Sequence, residues 1–147
     1  MDGDLSMAAK GRQFEYANIG TDIDRWDAAY ASLARKPATV LVPGISRFMV
    51  QHGPLMASLE RRHRLPTIYA YGSCVSAGGL CSYGASQLHI HDRLAHLLAR
   101  IFEGARPDSL PIEQPSKFEL VLNLKTASAI GVTVPQALRL RADQVIQ

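Results

Sequence analysis

Residues 37–71, PATVLVPGISRFMVQHGPLMASLERRHRLPTIYAY, carry the pattern that determines the fold. Two short apolar runs, 38–42 and 67–71, flank a segment that reads as a helix. Pro54 fits the first turn of this helix, and the basic run 60–64 fits its last turn. The continuous apolar character of residues 38–42 predicts a strand that is buried on both faces, as in parallel sheets. The stretch therefore predicts a β-α-β unit.

The chain before this stretch predicts one more strand and one more helix. Residues 13–19 alternate between two faces and predict a short strand. Thr21 and Asp24 are spaced as a capping box at the start of a helix that Pro37 ends. The apolar stripe of that helix consists of Ile23, Trp26, Tyr30 and Leu33. The resulting order β-α-β-α-β implies right-handed crossovers and a parallel sheet covered by helices, which is an α/β fold.

The second half of the chain has a different texture. The glycine-rich run 78–84 predicts a turn that leads into a short extended piece. Ser86 to Phe102 is the longest predicted helix, and the following segment 105–116 contains three prolines and predicts an extended connector. The apolar stripe of this helix consists of Leu94, Leu97, Leu98, Ile101 and Phe102. The remaining predicted elements are a strand at 118–124, a short helix at 125–130 and a last helical turn after Pro135.

Composition excludes several classes of protein. The 147 residues are 47% hydrophobic and 20% charged, which is typical of a folded globular domain. The net charge of +3, without any run of five basic residues, does not predict a nucleic-acid partner. The apolar stretches are too short to cross a membrane. Residues 1–10 do not read as a secretory signal peptide, so the chain as given predicts a cytoplasmic location.

The predicted ligand site lies at the carboxyl ends of the parallel strands, where ligands bind in open α/β sheets. A glycine there permits close approach of the backbone to a ligand, a serine can cap a helix whose free amides bind a carboxylate, and a tyrosine offers a ring and a hydroxyl. The residues predicted to bind a ligand are Gly44, Ser46, Tyr71, Gly72, Ser73 and Tyr83.

The histidines and cysteines of the second half are the residue types that metal binding or nucleophilic catalysis would need. His89 and His91 point about 200° apart on a helix, so together with Asp92 they do not predict a metal site. Cys81 with a histidine could form a nucleophile pair, as in an α/β hydrolase, but no motif supplies a base or an oxyanion hole. We therefore expect no catalytic residue, metal or cofactor, while the hydrolase-like enzyme remains the alternative.

Several runs resemble a known family when they are taken in order. They are His63-Arg-Leu-Pro-x-x-Tyr69, Ala77-Gly-Gly-Leu-x-Ser-Tyr-Gly84, Gly104-Ala-Arg-Pro107, Leu110-Pro-Ile-Glu-Gln-Pro115, Lys117-Phe-Glu-Leu-Val-Leu-Asn-Leu-Lys-Thr-Ala127 and Leu140-Arg-Ala-Asp143. Residues 13–147 resemble the C-terminal half of bacterial ABC-importer substrate-binding proteins, some of which bind tryptophan or tyrosine. The resemblance implies the type I periplasmic binding fold, a small amino-acid-like ligand held between two lobes, an ABC permease as partner and a periplasmic location.

The resemblance also implies a domain organisation. Residues 1–12 would be a disordered leader, and 13–84 would form most of the second lobe. Residues 85–116 would be a helix and connector that belong to, or cross to, a first lobe, and 117–147 would return to the second lobe. The chain would thus be a truncated receptor, and its 86–103 helix would fold back or pair with a second copy in a homodimer. An effector-binding domain of a repressor is a further alternative, because type I lobes also serve that role.

Overall fold

The computed structural model describes residues 21–37 and 39–147, and the predicted leader and the predicted strand 13–19 lie outside these residues. The helices are α1 Trp26–Ala34, α2 Arg47–Gln51, α3 Gly53–His63, α4 Gly72–Ser76, α5 Gln87–Phe102, α6 Leu124–Ile130 and α7 Gln136–Arg141, with 3-10 turns at Ile23–Arg25 and Pro107–Ser109. The strands are β1 Ile68–Tyr69, β2 Cys81–Ala85, β3 Phe118–Asn123 and β4 Gln144–Ile146.

The four strands form one sheet in the order β1-β2-β3-β4. The pairs β1–β2 and β3–β4 are parallel, which confirms the α/β class with a largely parallel sheet flanked by helices. The pair β2–β3 is antiparallel, with Ala85 opposite Phe118. This pair differs from the predicted parallel sheet because β3 begins at the edge where β2 ends, after α5 and the connector have left that edge and returned.

The registers assign the side chains to two faces of the sheet. Tyr69, Ser82 and Val121 are directly opposed across β1, β2 and β3, so they share one face. Tyr69 and Val121 belong to the main core, which is completed by residues of α1, α3 and α4 and by Leu65. The buried members of that core are Trp26, Tyr30, Met56, Leu59, Leu65, Tyr69, Cys74, Val75 and Val121. The helices α1, α3 and α4 therefore pack on this face.

The predicted strand 38–42 is much shorter in the structure. Leu41 forms a single parallel bridge with Thr67, through hydrogen bonds from its amide to Pro66 and from Ile68 to its carbonyl. Leu41 packs against the core, but Val40 and Val42 are 50% and 64% exposed. The prediction of burial on both faces was wrong, because alternate side chains point to opposite faces and α1, α3 and α4 cover only the face of Leu41.

The start of the first helix also differs from its prediction. Asp22, not Thr21, provides the cap, and its carboxylate accepts a hydrogen bond from the amide of Asp24. Of the predicted stripe, Trp26 and Tyr30 are fully buried, whereas Ile23 is 42% exposed. Ile23 lies in a 3-10 turn, whose tighter winding of three residues per turn takes it off the stripe of the α-helix.

Residues 87–116, which we call the arm, consist of α5 and the connector that follows it. Ser86 caps α5 by accepting a hydrogen bond from the amide of His89. The connector lies along the helix, where Glu113 accepts two hydrogen bonds from the Arg93 guanidinium at 2.6 and 2.8 Å. All sixteen residues of α5 are at least partly exposed, and the predicted stripe is exposed at Leu94, Leu98 and Phe102. The helix therefore does not fold back onto the sheet.

Candidate functional site

A cavity opens at the carboxyl end of β1 and of the bridge residue Leu41. It contains about 280 Å³ of space, part of which is open to solvent. It is lined by the turn Pro43–Ser46, by Tyr69 of β1 with the following Ala70 and Tyr71, and by side chains of α2, α3 and α4. The helix residues that line it are Met49, Val50, Met56 and Cys74. None of the described lining residues carries a charged side chain. The cavity therefore suits an apolar group of a ligand.

Three of the predicted ligand residues, Gly44, Ser46 and Tyr71, line this cavity together. Ser46 also caps α2, because its hydroxyl oxygen accepts a hydrogen bond from the amide of Met49 at 3.2 Å. A serine hydroxyl that accepts one bond still has its own proton to donate. The capping role and a contact with a ligand are therefore compatible at Ser46.

Gly72 and Ser73 lie in α4, just beyond the lining residues. The backbone of Gly72 packs closely on β3, since a Cβ there would come within 3.2 Å of a methyl group of Val121. The cap residue of α4 is Tyr71 and not the predicted Ser73, which lies inside the helix. This cap prediction was wrong because the helix begins two residues earlier, directly after the extended residue Tyr71.

Tyr83 lies apart from the cavity. It belongs to β2, is 62% exposed and stacks on Phe118 with ring centroids 5.9 Å apart. Because its neighbour Ser82 shares the face of Tyr69, Tyr83 points to the opposite face of the sheet. Gly84, the next residue, approaches β1 so closely that a Cβ there would collide with the carbonyl oxygen of Ala70.

The back of the cavity is held by Glu60, a residue that sequence reasoning did not single out. Its carboxylate is fully buried and accepts hydrogen bonds from the Thr67 amide, the Tyr69 hydroxyl and the Leu80 amide at 3.0, 3.0 and 3.1 Å. Burial raises the pKa of Glu60 to about 7, although these three hydrogen bonds oppose the rise. A glutamate within the predicted basic end of a helix gave no signal of burial, since acidic side chains are usually solvated.

The surroundings of Cys81 and His89 indicate structural roles for both residues. Cys81 is half-buried, and burial, with the nearby Glu60, raises the pKa of its thiol to about 11. A thiol of that pKa is protonated at neutral pH and is a poor nucleophile. His89 contacts the Ser116 hydroxyl at 3.2 Å, a contact within the arm. Across residues 21–37 and 39–147, no group of three or more His, Cys, Asp or Glu side chains could hold a metal ion.

The arm leaves the sheet at the same edge as the cavity. Because β1 and β2 are parallel, Tyr71, just after β1, and Ala85, the last residue of β2, lie at the carboxyl ends of neighbouring strands. The chain enters α5 directly after Ala85 and returns at Phe118, which pairs with Ala85. The amide of Ser86 also donates to the carbonyl of Lys117 at 2.9 Å, so the outgoing and returning segments are joined beside the cavity.

The family model for the ABC transporter substrate binding protein matches residues 27–146. This chain belongs to that family. The match covers α1 to β4, including the cavity and the arm. No curated protein matches the chain. In the described part of the chain, none of the helices combines the length and hydrophobicity that are needed to cross a membrane.

Three solved structures share the fold. A conserved domain protein from Vibrio cholerae is 26% identical with a TM-score of 0.79, and the match covers 96% of this chain and 47% of that one. The ABC domain in complex with L-Trp from Streptococcus pneumonia is 23% identical with a TM-score of 0.70, over 84% and 43%. The ligand-free, open substrate binding protein CD0873 from Clostridium difficile is 17% identical with a TM-score of 0.68, over 97% and 48%. The chain thus spans about half the length of these proteins.

Proposed function

We propose that the chain is the second lobe of an ABC-importer substrate-binding protein and supplies one wall of a site for a small, amino-acid-like ligand. The observation that carries this proposal is the common edge of the cavity and the arm. A receptor that closes two lobes over a ligand needs its interlobe segments beside the site, so that a small hinge rotation covers the ligand. The pair of segments at Ala85–Ser86 and Lys117–Phe118 has that position.

The size and lining of the cavity agree with a half-site. Sites for small molecules usually enclose about 300–1,000 Å³ and bury most of the ligand. The cavity is open to solvent and cannot bury a ligand alone, so it needs a second wall. Its apolar lining suits the side chain of an amino acid such as L-Trp, which is bound by the Streptococcus relative. The charged groups of such a ligand would then be recognised elsewhere, by a first lobe.

The proposal includes the domain organisation and the setting that the family implies. Residues 13–84 would form most of the lobe, 85–116 would cross to a first lobe, and 117–147 would return. The protein would act in the periplasm, deliver its ligand to an ABC permease and catalyse no reaction. The raised pKa of the Cys81 thiol, which burial causes, counts against Cys81 as the nucleophile of the enzyme alternative.

The test is to complete the site. A chimera would join the first half of the Vibrio relative to this chain, and isothermal titration would measure binding of a panel of amino acids that includes L-Trp. We expect micromolar binding by the chimera and none at micromolar concentrations by the isolated chain. Ser46→Ala and Tyr71→Ala should weaken binding in the chimera at least about tenfold, while Tyr83→Ala, outside the cavity, should change it less than about twofold.

Three results would contradict the proposal. The first is a chimera that folds but binds no amino acid, and the second is tight binding by the isolated chain. The third is turnover in an esterase and phosphatase screen that Cys81→Ala abolishes, since this would favour the hydrolase-like enzyme.

We also propose that the exposed stripe of Leu94, Leu98 and Phe102 is covered, in the isolated chain, by a second copy that exchanges α5. Light scattering at micromolar concentration should then show a dimer. Leu98→Glu should give a monomer, and Leu88→Glu, an exposed position outside the stripe, should leave the dimer intact. A monomeric wild-type chain would refute this part alone.

A further inference from the structure

One face of the sheet is apolar but only partly covered. It is the face opposite to that of Tyr69, on which α1, α3 and α4 pack. A solvated sheet face normally carries polar side chains, yet every residue of β1, β2 and β3 on this face is apolar. These residues are Ile68, Cys81, Tyr83, Ala85, Phe118, Leu120 and Leu122. We call the exposed part of this surface the open face; it consists of Val40, Val42, Ile68, Tyr83 and Phe118, which are 38–64% exposed.

The direction in which the sheet grows explains why the open face lacks helices. The chain adds the segment around Leu41, then β1, then β2, always towards the same edge. Right-handed crossovers that all proceed in one direction place their helices on the same face of a sheet. Both α3 and α4 therefore lie on the face of Tyr69, and the open face needs a cover from elsewhere.

The helix α5 has the dimensions and the apolar stripe that such a cover requires. Its sixteen residues span about 24 Å, and the four segments of the open face, at about 4.8 Å spacing, span about 14 Å. In the same copy, however, α5 does not lie on this face, because all of its residues remain at least partly exposed. The open face and the stripe of Leu94, Leu98 and Phe102 are thus two apolar surfaces of one chain that do not cover each other.

The charges of the arm favour a second copy over a lipid surface as its partner. The arm contains three arginines and four acidic residues, whereas the rest of the described chain contains eleven basic and six acidic residues. An amphipathic helix that binds a membrane surface is normally rich in basic residues. A slightly acidic arm instead complements the basic remainder of another copy.

We propose that the open face of one copy receives α5 of a second copy, and that the contact is reciprocal. This inference rests on the exchange of α5 proposed above and adds the surface that receives the helix. The base of the arm adjoins the open face, because Phe118 of that face pairs with Ala85, after which α5 begins. A twofold axis near this edge lets each copy place its α5 on the other.

The area of this contact matches that of a stable dimer. Each copy would cover eight exposed apolar side chains, five of the open face and three of the stripe. At roughly 100 Å² for each side chain, the dimer would bury on the order of 1,600 Å², which is the size of a standard specific interface.

The first test places one charge on each of the two surfaces of the full chain. Light scattering at micromolar concentration should show a dimer for wild type and a monomer for Val42→Glu and for Leu98→Glu, because each would bury unpaired charges in an apolar contact. The dissociation constant of the dimer should rise at least about tenfold in both. Ile112→Glu, at a 99% exposed position of the connector, is the matched control and should leave the dimer unchanged.

Mixing the variants tests whether helix and sheet contact each other. A pair of Val42→Glu and Leu98→Glu chains keeps one intact contact, between α5 of the first and the open face of the second. Native mass spectrometry should therefore detect mixed dimers at concentrations where each variant alone is monomeric. The double variant mixed with wild type carries the same two charges but keeps no intact contact, and it should form no mixed dimer.

Three results would overturn the proposal. They are a monomeric wild-type chain, a Val42→Glu chain that remains a dimer, and two mixtures that behave alike, since the last would indicate contacts of helix with helix and of sheet with sheet. Tyr83→Glu, also on the open face, repeats the test should Val42→Glu fail to fold by circular dichroism. A dimer that Leu98→Glu breaks and Val42→Glu does not would remove only the receiving surface, and ligand binding by the chimera does not enter the measurement.

Discussion

Helices with an apolar stripe occur both in the arm and in the rest of the described chain, residues 21–37, 39–86 and 117–147, which we call the packed part. The burial of the two stripes is opposite. In α1, Trp26 and Tyr30 are fully buried against α3 and the sheet. In α5, by contrast, Leu94 and Phe102 of the regular stripe are 51% and 86% exposed. The difference is the covering surface, because α1 finds a partner in this chain and α5 does not. Periodicity therefore predicts that a helix has an apolar face, but not where the partner of that face is.

The same contrast applies to the two faces of the sheet. The face of Tyr69 and Val121 is covered by three helices, while the other face leaves Val42, Tyr83 and Phe118 at least half exposed. Exposed apolar surface of this extent is typical of a surface that another part of a protein covers. Both contrasts agree with a chain that spans about half the length of its structural relatives.

The largest expected effect compares Trp26 with Phe102. Trp26→Ala removes a fully buried ring that packs edge-on against Phe48 and His52, and should lower the free energy of unfolding by about 3–5 kcal/mol. Phe102→Ala removes an exposed ring and should change it by less than about 0.5 kcal/mol. Urea denaturation followed by circular dichroism measures both. Equal effects would mean that α5 is as well packed as α1.

The next effect concerns pH and the carboxyl group of Glu60. Its pKa is about 7 in the folded chain and has an ordinary value of 4.5. The folded state thus favours the proton, so this contribution to stability is fully present below pH 4.5 and is lost as pH rises towards about 7. The loss amounts to roughly 3 kcal/mol for this group.

Denaturation at half-unit pH steps should show this decrease in the free energy of unfolding in wild type and in Glu103→Gln, a control at an exposed position. The decrease should be absent in Glu60→Gln. If the free energy of unfolding of the wild-type chain instead rises between pH 5 and 7, Glu60 is ionised over that whole range.

Elements with complete local signals were predictable from the sequence. The helix after Pro54 and the strand near 118–124 lie within one or two residues of their predicted positions. The strand 38–42 was predicted less accurately. Whether one face or both faces of an apolar run are covered depends on segments that are distant in the sequence. The antiparallel pairing of β3 was also missed, since it results from the path of the arm and leaves no trace in the residues of the strand itself.

The candidate site was predictable where position in the chain order was sufficient. Gly44, Ser46 and Tyr71 follow strands whose carboxyl ends meet, and the structure brings them to one cavity. Met49 and Cys74 come from short helices that tertiary packing aims at the cavity, and they carry no signal in sequence. Tyr83 has a suitable side chain, but the strand alternation that directs it to the other face could be determined only from the register of β2.

Removal of a helix cap should have different effects in the packed part and in the arm, and both effects should be smaller than the preceding ones. Asn123 caps α6 by accepting from the amide of Thr126 and donates to the carbonyl of Val75, so Asn123→Ala should lower global stability by about 1–2 kcal/mol. Ser86→Ala removes the cap of α5 and should cost about 1 kcal/mol within that helix. Hydrogen exchange should detect the second loss in the first turn of α5, with little change in the urea midpoint. A large midpoint shift in Ser86→Ala would couple the arm to the core.

The smallest expected effect is on the contact between α5 and its connector. Arg93 and Glu113 form two hydrogen bonds, and the Arg93 guanidinium lowers the pKa of the Glu113 carboxyl group. Because the pKa is lowered in the folded chain, the pair stabilises the fold fully above pH 4.5. This stabilisation is lost as the pH falls through the lowered pKa, where Glu113 takes up a proton. Because both side chains contact solvent, salt should screen the pair.

Glu113→Gln should therefore leave global unfolding unchanged and raise exchange in segment 103–116 by less than about threefold, an effect that 1 M salt should reproduce in wild type. Glu119→Gln is the matched control, because Glu119 lies at 4.0 Å from Lys117 on β3 and outside the arm. It should leave exchange in the connector unchanged. If Glu113→Gln instead lowers the urea midpoint, the arm unfolds in the same cooperative unit as the sheet. The arm would then not be the separately packed region that the exposure of its stripe indicates.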